Sequence, residues 1–253
     1  PALLIAATSG TIYGGNFLFG VGEGFVTPRL FCEALSLGSL AAFLAARHGL
    51  MAVLLILAAL LHPLMVPAPA ATILLAVLFR RAAWWAPVLT VLLGTLLVLA
   101  ALAFARAAGL PFPAAIDAEW KFIAGARSSQ LLIGNWSSVD WPPFGTDMVL
   151  VLLASLLATP PVRLLLLAAA SVASAGIVLS YVGFDLLDTL LIGQVQPWRA
   201  IWLLRILAPI GMGLIIRDAC LRGTAQRGVL LALCYGVCLL GAALGSLAWL
   251  PLA

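Results

Sequence analysis

Apolar runs of about 18 to 25 residues, broken by short segments rich in Arg, Gly and Pro, recur along the chain. That is the pattern of helices sunk in hydrocarbon, and it lacks the strict alternation of half-exposed strands. The runs predict helices over 28–46, 49–66, 69–79, 84–106, 147–159, 162–182, 198–217 and 228–250. At 1.5 Å per residue, 69–79 and 147–159 reach only about 17 to 20 Å against a hydrocarbon core of about 30 Å, so they are expected as half-spans or as halves of a hairpin inside the bundle. Pro63, Pro67 and Pro69, and the pair Pro160 and Pro161, mark breaks, because proline cannot continue the backbone ladder. The expected architecture is all-α: a polytopic transmembrane bundle of about eight segments, some short or broken, with outward interfacial helices.

Two connections carry patterns of their own. Within the long loop 107–146, Ile116, Trp120 and Ile123 recur at i, i+4 and i+7 while Asp117, Glu119 and Lys121 point elsewhere, which predicts a short helix lying on the membrane surface. Phe184, Leu187 and Leu191 form a similar stripe, with Asp185 and Asp188 on another face.

Composition removes a water-soluble globule from consideration: 64% of the 253 residues are hydrophobic and 9% charged, where a soluble domain carries roughly 25% charged residues. The excess of 13 Lys and Arg over 9 Asp and Glu gives a net charge of +4. No basic run could track a phosphate backbone, so nucleic acid is not an expected partner; membrane lipids are. Cys32, Cys220, Cys234 and Cys238 form no CxxC pair and read as reduced packing residues. Because the chain opens at Pro1, with Pro1 to Ala7 resembling the tail of an apolar helix, it reads as a fragment forming one transmembrane domain over 1–253.

If the segments alternate, Arg47, Arg80, Arg81, Arg163, Arg217, Arg222 and Arg227 gather in short connections at one side with a single acid, Asp218. The other side holds Glu23, Asp117, Glu119, Asp140, Asp147, Asp185 and Asp188 with Arg29, Arg106, Lys121, Arg127 and Arg199, spread over longer connections. Dense cations in short loops mark the cytoplasmic side, so the acids face outward. Trp84 and Trp85 then fall at one interface, and Trp198, Trp202 and Trp249 at the other, as aromatic belts.

The outward helix starts hold the most informative chemistry. Thr27, Pro28 and Arg29 open one helix, and Gln196, Pro197, Trp198 and Arg199 open another. Proline suits a first helical turn, but a cation at the positive end of the helix dipole is unfavourable unless an anion answers it. Backbone N–H groups with a planar guanidinium would suit a phosphate, which makes Arg29 and Arg199 candidate phosphate ligands; for Arg29 an internal pair with Glu33 at i+4 competes with that role. Glu33 and Arg205 lie a turn or two inside apolar helices, where unpaired charge costs several kcal/mol, and should be paired. Trp198, Trp202 and Arg205 share a face, an aromatic platform suited to a sugar or lipid headgroup.

In Trp136 to Trp141, aromatic and polar residues alternate, which fits carbohydrate stacking and interface anchoring alike. His62, before Pro63, has no second His or Cys at ligand spacing, so no metal is expected. The candidate substrate contacts are His62, Arg127, Asp140, Trp141, Trp198, Trp202 and Arg205. Catalytic carboxylates are sought among Glu23, Asp117 and Glu119, since general-base work needs an acid near the reacting group.

The phrases TPRLFCEALSL (27–37), LLHPLM (60–65) and QPWRAIWLL (196–204) resemble those of uncharacterised bacterial polytopic membrane proteins, whose layout resembles GT-C-type membrane glycosyltransferases. The resemblance implies a cell inner-membrane enzyme that moves a sugar from a polyprenyl-phosphate carrier to an acceptor at the outward face, with no nucleotide or other cofactor. It also implies an acid in the first outward loop, for which Glu23 is the candidate. A transporter or flippase component, with Glu33 and Arg205 lining a polar path, and a non-catalytic envelope-assembly protein are the alternatives.

Overall fold

In the computed structural model, the residues described are 12–15, 19–20, 27–80, 82–83, 85–111 and 114–221. They form nine α-helices: α1 Pro28–Leu44, α2 His48–Leu61, α3 Pro67–Leu78, α4 Ala86–Ala107, α5 Ala118–Arg127, α6 Trp141–Leu157, α7 Pro160–Ser180, α8 Leu190–Val195 and α9 Ile201–Leu221. A two-residue antiparallel pair, β1 Ile12–Tyr13 with β2 Phe19–Gly20, precedes them. Seven of the eight helices expected from the apolar runs fall here and each is helical; 228–250 lies outside the described residues. Three helical stretches are long and apolar enough to cross a membrane: Ala86–Ala107, Pro160–Leu186 and Leu190–Leu221. His48–Leu61, Pro67–Leu78 and Trp141–Leu157 are apolar but shorter.

Proline sets many of the starts. Pro28, Pro67, Pro87, Pro142 and Pro160 each stand in the first turn of a helix, where the missing N–H would have no intrahelical partner. One boundary differs from expectation for this reason. The helix expected at 147 begins at Trp141, because Pro142 and Pro143 fit its first turn instead of ending the loop. Asp147, expected among the outward loop acids, therefore sits within α6 and is buried.

α7 is the central element. Its face from Leu164 to Ala170, then Ala173, Gly176 and Ile177, is buried, and α3, α4, α6 and α9 all pack on it. The α6 and α9 pair is close because Gly211 has no side chain: a Cβ there would stand 2.9 Å from that of Ala154. α1 and α2 form a hairpin over a turn in which Ala46 adopts φ +57°. At the foot of α6, Arg163 donates from Nε to the Ser155 carbonyl (3.0 Å) and from Nη2 to the Ala158 carbonyl (3.4 Å). A cation there answers the negative end of the α6 dipole and its last carbonyls.

After α7 the chain does not break into a surface helix, as the Phe184, Leu187, Leu191 stripe led one to expect. It continues as a π-helical turn, Tyr181–Leu186, with Phe184 buried against Gly193. α5, by contrast, lies where the loop pattern puts it and leaves Trp120, Phe122 and Ile123 exposed. These two segments are tied together: Lys121 Nζ donates to Asp188 Oδ1 and to the Asp185 carbonyl (both 2.6 Å), Arg106 pairs with Asp188 Oδ2 (3.2 Å), and Gly134 N donates to Asp185 Oδ2 (2.6 Å). Residues assigned to the outward side by strict alternation thus meet at one end.

Candidate functional site

Two helix starts carry an arginine. Pro28 opens α1 after an extended Thr27. Gln196, in the left-handed region at φ +52°, ends α8 and turns the chain into the 3-10 turn Pro197–Ala200, which runs on into α9. Gly176 of α7 makes the turn possible, since a Cβ there would collide with the Pro197 carbonyl. The charge of Arg29 acts on the Arg199 guanidinium, with Tyr13 also near it.

The backbone at this start is not free for an anion, contrary to the sequence reading. Trp198 N donates to Ser180 Oγ (2.9 Å) and Arg199 N to the Gln196 carbonyl (3.0 Å). Arg199 also has an internal answer: Nε donates to Gln196 Oε1 (2.5 Å) and the guanidinium lies 5.6 Å from the centre of the Trp198 ring. The answering group is a neutral amide three residues earlier, where a search for acids does not look. The N–H groups of Trp198 and Arg199 are thus engaged within the chain.

Trp198 and Trp202 do not belong to an interfacial belt. At 1% and 0% exposure they are core residues, with Trp202 Nε1 donating to the Met65 carbonyl (3.3 Å). Trp198 is the inner member of an aromatic row: Trp136 meets it edge-on with centroids 5.7 Å apart, Trp141 stands 5.4 Å from Trp136, and Phe144 6.4 Å from Trp141. Such edge contacts are a preferred aromatic geometry. Gly14 and Gly15 lie directly on Trp198 and Trp136, where side chains would clash. Trp85, at the other end, is exposed; Trp84 and Trp249 lie outside the described residues.

Arg205 is paired with Asp147, where the sequence had offered Glu33: Nη1 donates to Oδ1 at 2.8 Å. This pair and buried Asp140 line a cleft with Tyr13, Phe144 and Ile201. The Ser137 amide and hydroxyl both donate to Asp140 Oδ2 (2.7 Å each). Sequence reading missed Asp147. The available signal was the Pro142 and Pro143 pair, which as a first turn brings Trp141, Phe144 and Asp147 onto one face of α6.

The other sequence candidates are dispersed. Asp117 caps α5, its Oδ1 accepting from Trp120 N (2.7 Å), and Glu119 is exposed in the first turn of the same helix. Arg127 is exposed in the last turn of α5, where it complements the helix dipole. His62 ends α2 and its carbonyl accepts from Cys32 Sγ (3.7 Å), which places it beside the start of α1. Glu33 is buried in α1, and Glu23 lies outside the described residues. Among the described residues no group of three or more His, Cys, Asp or Glu could hold a metal ion.

An apolar groove of about 360 Å³ runs between α3, α4 and α7, lined by Leu64, Leu74, Val91, Val172 and Leu179 among others. Gln196 and Pro197 also line it, so the residue that holds Arg199 is part of the groove wall. A second groove, between α4, α6 and α7, shares Val91 and Ala175 with it. No known protein family, curated protein or solved structure matches the chain.

Proposed function

We propose that the chain is a multi-pass protein of a bacterial inner membrane that holds a polyprenyl-phosphate-linked sugar at its outward face and transfers the sugar to an acceptor, as GT-C-type glycosyltransferases do. The observation that supports this reading is that Gln196, which holds the Arg199 guanidinium, also lines an apolar groove, with the charge of Arg29 acting on the same guanidinium. A groove lined by aliphatic side chains suits an isoprenoid tail, and two guanidinium groups suit the phosphate at its head. Negative charge on that phosphate grows as the sugar departs, so fixed cations there favour the transition state over the ground state. Glu23 is the acid that the resemblance assigns to the acceptor proton, and Asp117, committed to its cap, is poorly suited to that task.

The test is binding of a short polyprenyl phosphate to the protein in nanodiscs, together with acceptor-dependent release of lipid phosphate. Arg199→Lys keeps the charge but loses the forked donor and should weaken binding; Arg199→Ala should weaken it further, by about 1.5 to 3 kcal/mol for a lost charged hydrogen bond. Unchanged binding in a folded Arg199→Ala protein would overturn the reading. Flux of the lipid across vesicles without transfer would replace the enzyme by a flippase.

A further inference from the structure

A third groove, of about 460 Å³, lies where α6 hands over to α7, lined by Leu152, Leu153, Ser155 and Leu156 of α6 and by Arg163 and Leu167 of α7. The Ser155 hydroxyl is spent on the Leu152 carbonyl (2.7 Å), so Arg163 brings the polarity of this wall. One edge of its guanidinium, Nε and Nη2, is used on the carbonyls of Ser155, Leu156 and Ala158. Among the described residues Nη1 donates no hydrogen bond and is not a buried atom, and Arg163 forms no ion pair. The carbonyls are the negative end of α6, equivalent to roughly half an elementary charge, but Arg163 also stands in the first turn of α7, whose positive end is equivalent to roughly half a charge of the other sign. The two helix ends cancel, and the guanidinium charge is left without an answer.

A full cation in the apolar wall of a helix pair calls for an anion that brings its own apolar part. The wall is long enough for an acyl chain. Leu152 and Leu167 also line the groove between α4, α6 and α7, and the two together follow α7 from Arg163 to Val178. That is about 22 Å of helix, where one leaflet of the hydrocarbon core is about 15 Å deep. We infer that this groove seats one anionic phospholipid of the leaflet on that side, with its phosphate on Arg163 Nη1 and one acyl chain along α7. A zwitterionic phospholipid would bring its own ammonium to the same corner, so the seat discriminates by headgroup charge. It lies at the other end of α7 from Gly176 and the Pro197 turn, and it stands apart from the polyprenyl-phosphate reading.

Native mass spectrometry tests it, on the full chain released from nanodiscs made of equal parts phosphatidylglycerol and phosphatidylcholine with the same acyl chains. The wild-type chain should retain phosphatidylglycerol at least tenfold more often than phosphatidylcholine, and Arg163→Gln should abolish the preference. Because Arg163 also holds the end of α6, a second variant leaves its bonds in place. Leu156→Glu, at a groove position that is 70% exposed, supplies a carboxylate to the guanidinium and should abolish the preference in a folded chain. Arg199→Ala, which tests the lipid-phosphate reading, should leave the preference unchanged. Equal retention of the two lipids by the wild-type chain, a preference that survives in Leu156→Glu or in folded Arg163→Gln, or one lost in folded Arg199→Ala, would overturn the seat.

Discussion

Replacing Asp147 by Asn leaves Arg205 buried between α6 and α9 with its carboxylate partner gone. At 2.8 Å and an effective dielectric of about 20, the gross attraction is roughly 6 kcal/mol, most of it offset by removing both charges from water. The side chains are 8% and 19% exposed, so solvent screens the pair weakly. The expected loss on removing one partner is about 3 to 5 kcal/mol, while removing both is close to neutral. Arg205→Met alone should cost as much as Asp147→Asn alone, and the double variant should recover most of either loss. Equilibrium unfolding in mixed micelles of rising SDS fraction gives the four stabilities of the cycle, and the coupling follows from their differences. A coupling below about 1 kcal/mol would mean that the pair contributes no more than an exposed one, and the account of α6 and α9 as helices locked by charge would be wrong.

Gly176→Ala puts a methyl group against the Pro197 carbonyl; overpacking of this kind costs about 1 to 3 kcal/mol, so thermal melting should shift downward and lipid-phosphate binding should fall with it. Asp117→Ala removes the cap of α5, at a cost of about 1 kcal/mol. Faster amide exchange confined to α5 is the expected sign, and uniform loosening of the bundle would contradict it. Exposed Cys220, between Arg217 and Arg222, should resist a membrane-impermeant thiol reagent in intact cells and react in inverted vesicles. The reverse result would invert the orientation.

What the sequence revealed depended on whether a signal was local. Helix existence follows from apolar runs, and strict alternation of the segments had put Arg106, Lys121 and the two aspartates of 185–188 on one side. Proline was legible only in part. It marks a boundary, but whether the residues after it start a helix or prolong a loop depends on what the next turn packs against, and this is how Asp147 moved from a loop to the interior. Partner choice was the least legible. Glu33 and Asp147 are both carboxylates in the first turns of apolar helices, and the observed bond of Arg205 to Asp147 follows from the close approach of α6 and α9, which in turn rests on Gly211. Trp198 and Trp202 illustrate the same limit: an indole near a helix start reads as an interface anchor until the fold places a helix over it.

α2 and α4 have one property whose effect reaches outside the protein. Both present most of their surface outward, α2 with Ala58 as its buried residue and α4 with Thr95 and Ala105 inside its length. Their lengths, from 14 and 22 residues, are about 21 and 33 Å. Set in a bilayer about 30 Å deep, one flank is matched and the other falls short by roughly 9 Å. Lipids beside α2 would have to compress or tilt their chains, at a fraction of a kcal/mol per ångström. The protein would therefore carry a collar of uneven height, thin along α2, and a long isoprenoid chain would lie more comfortably along α4, where the two apolar grooves open.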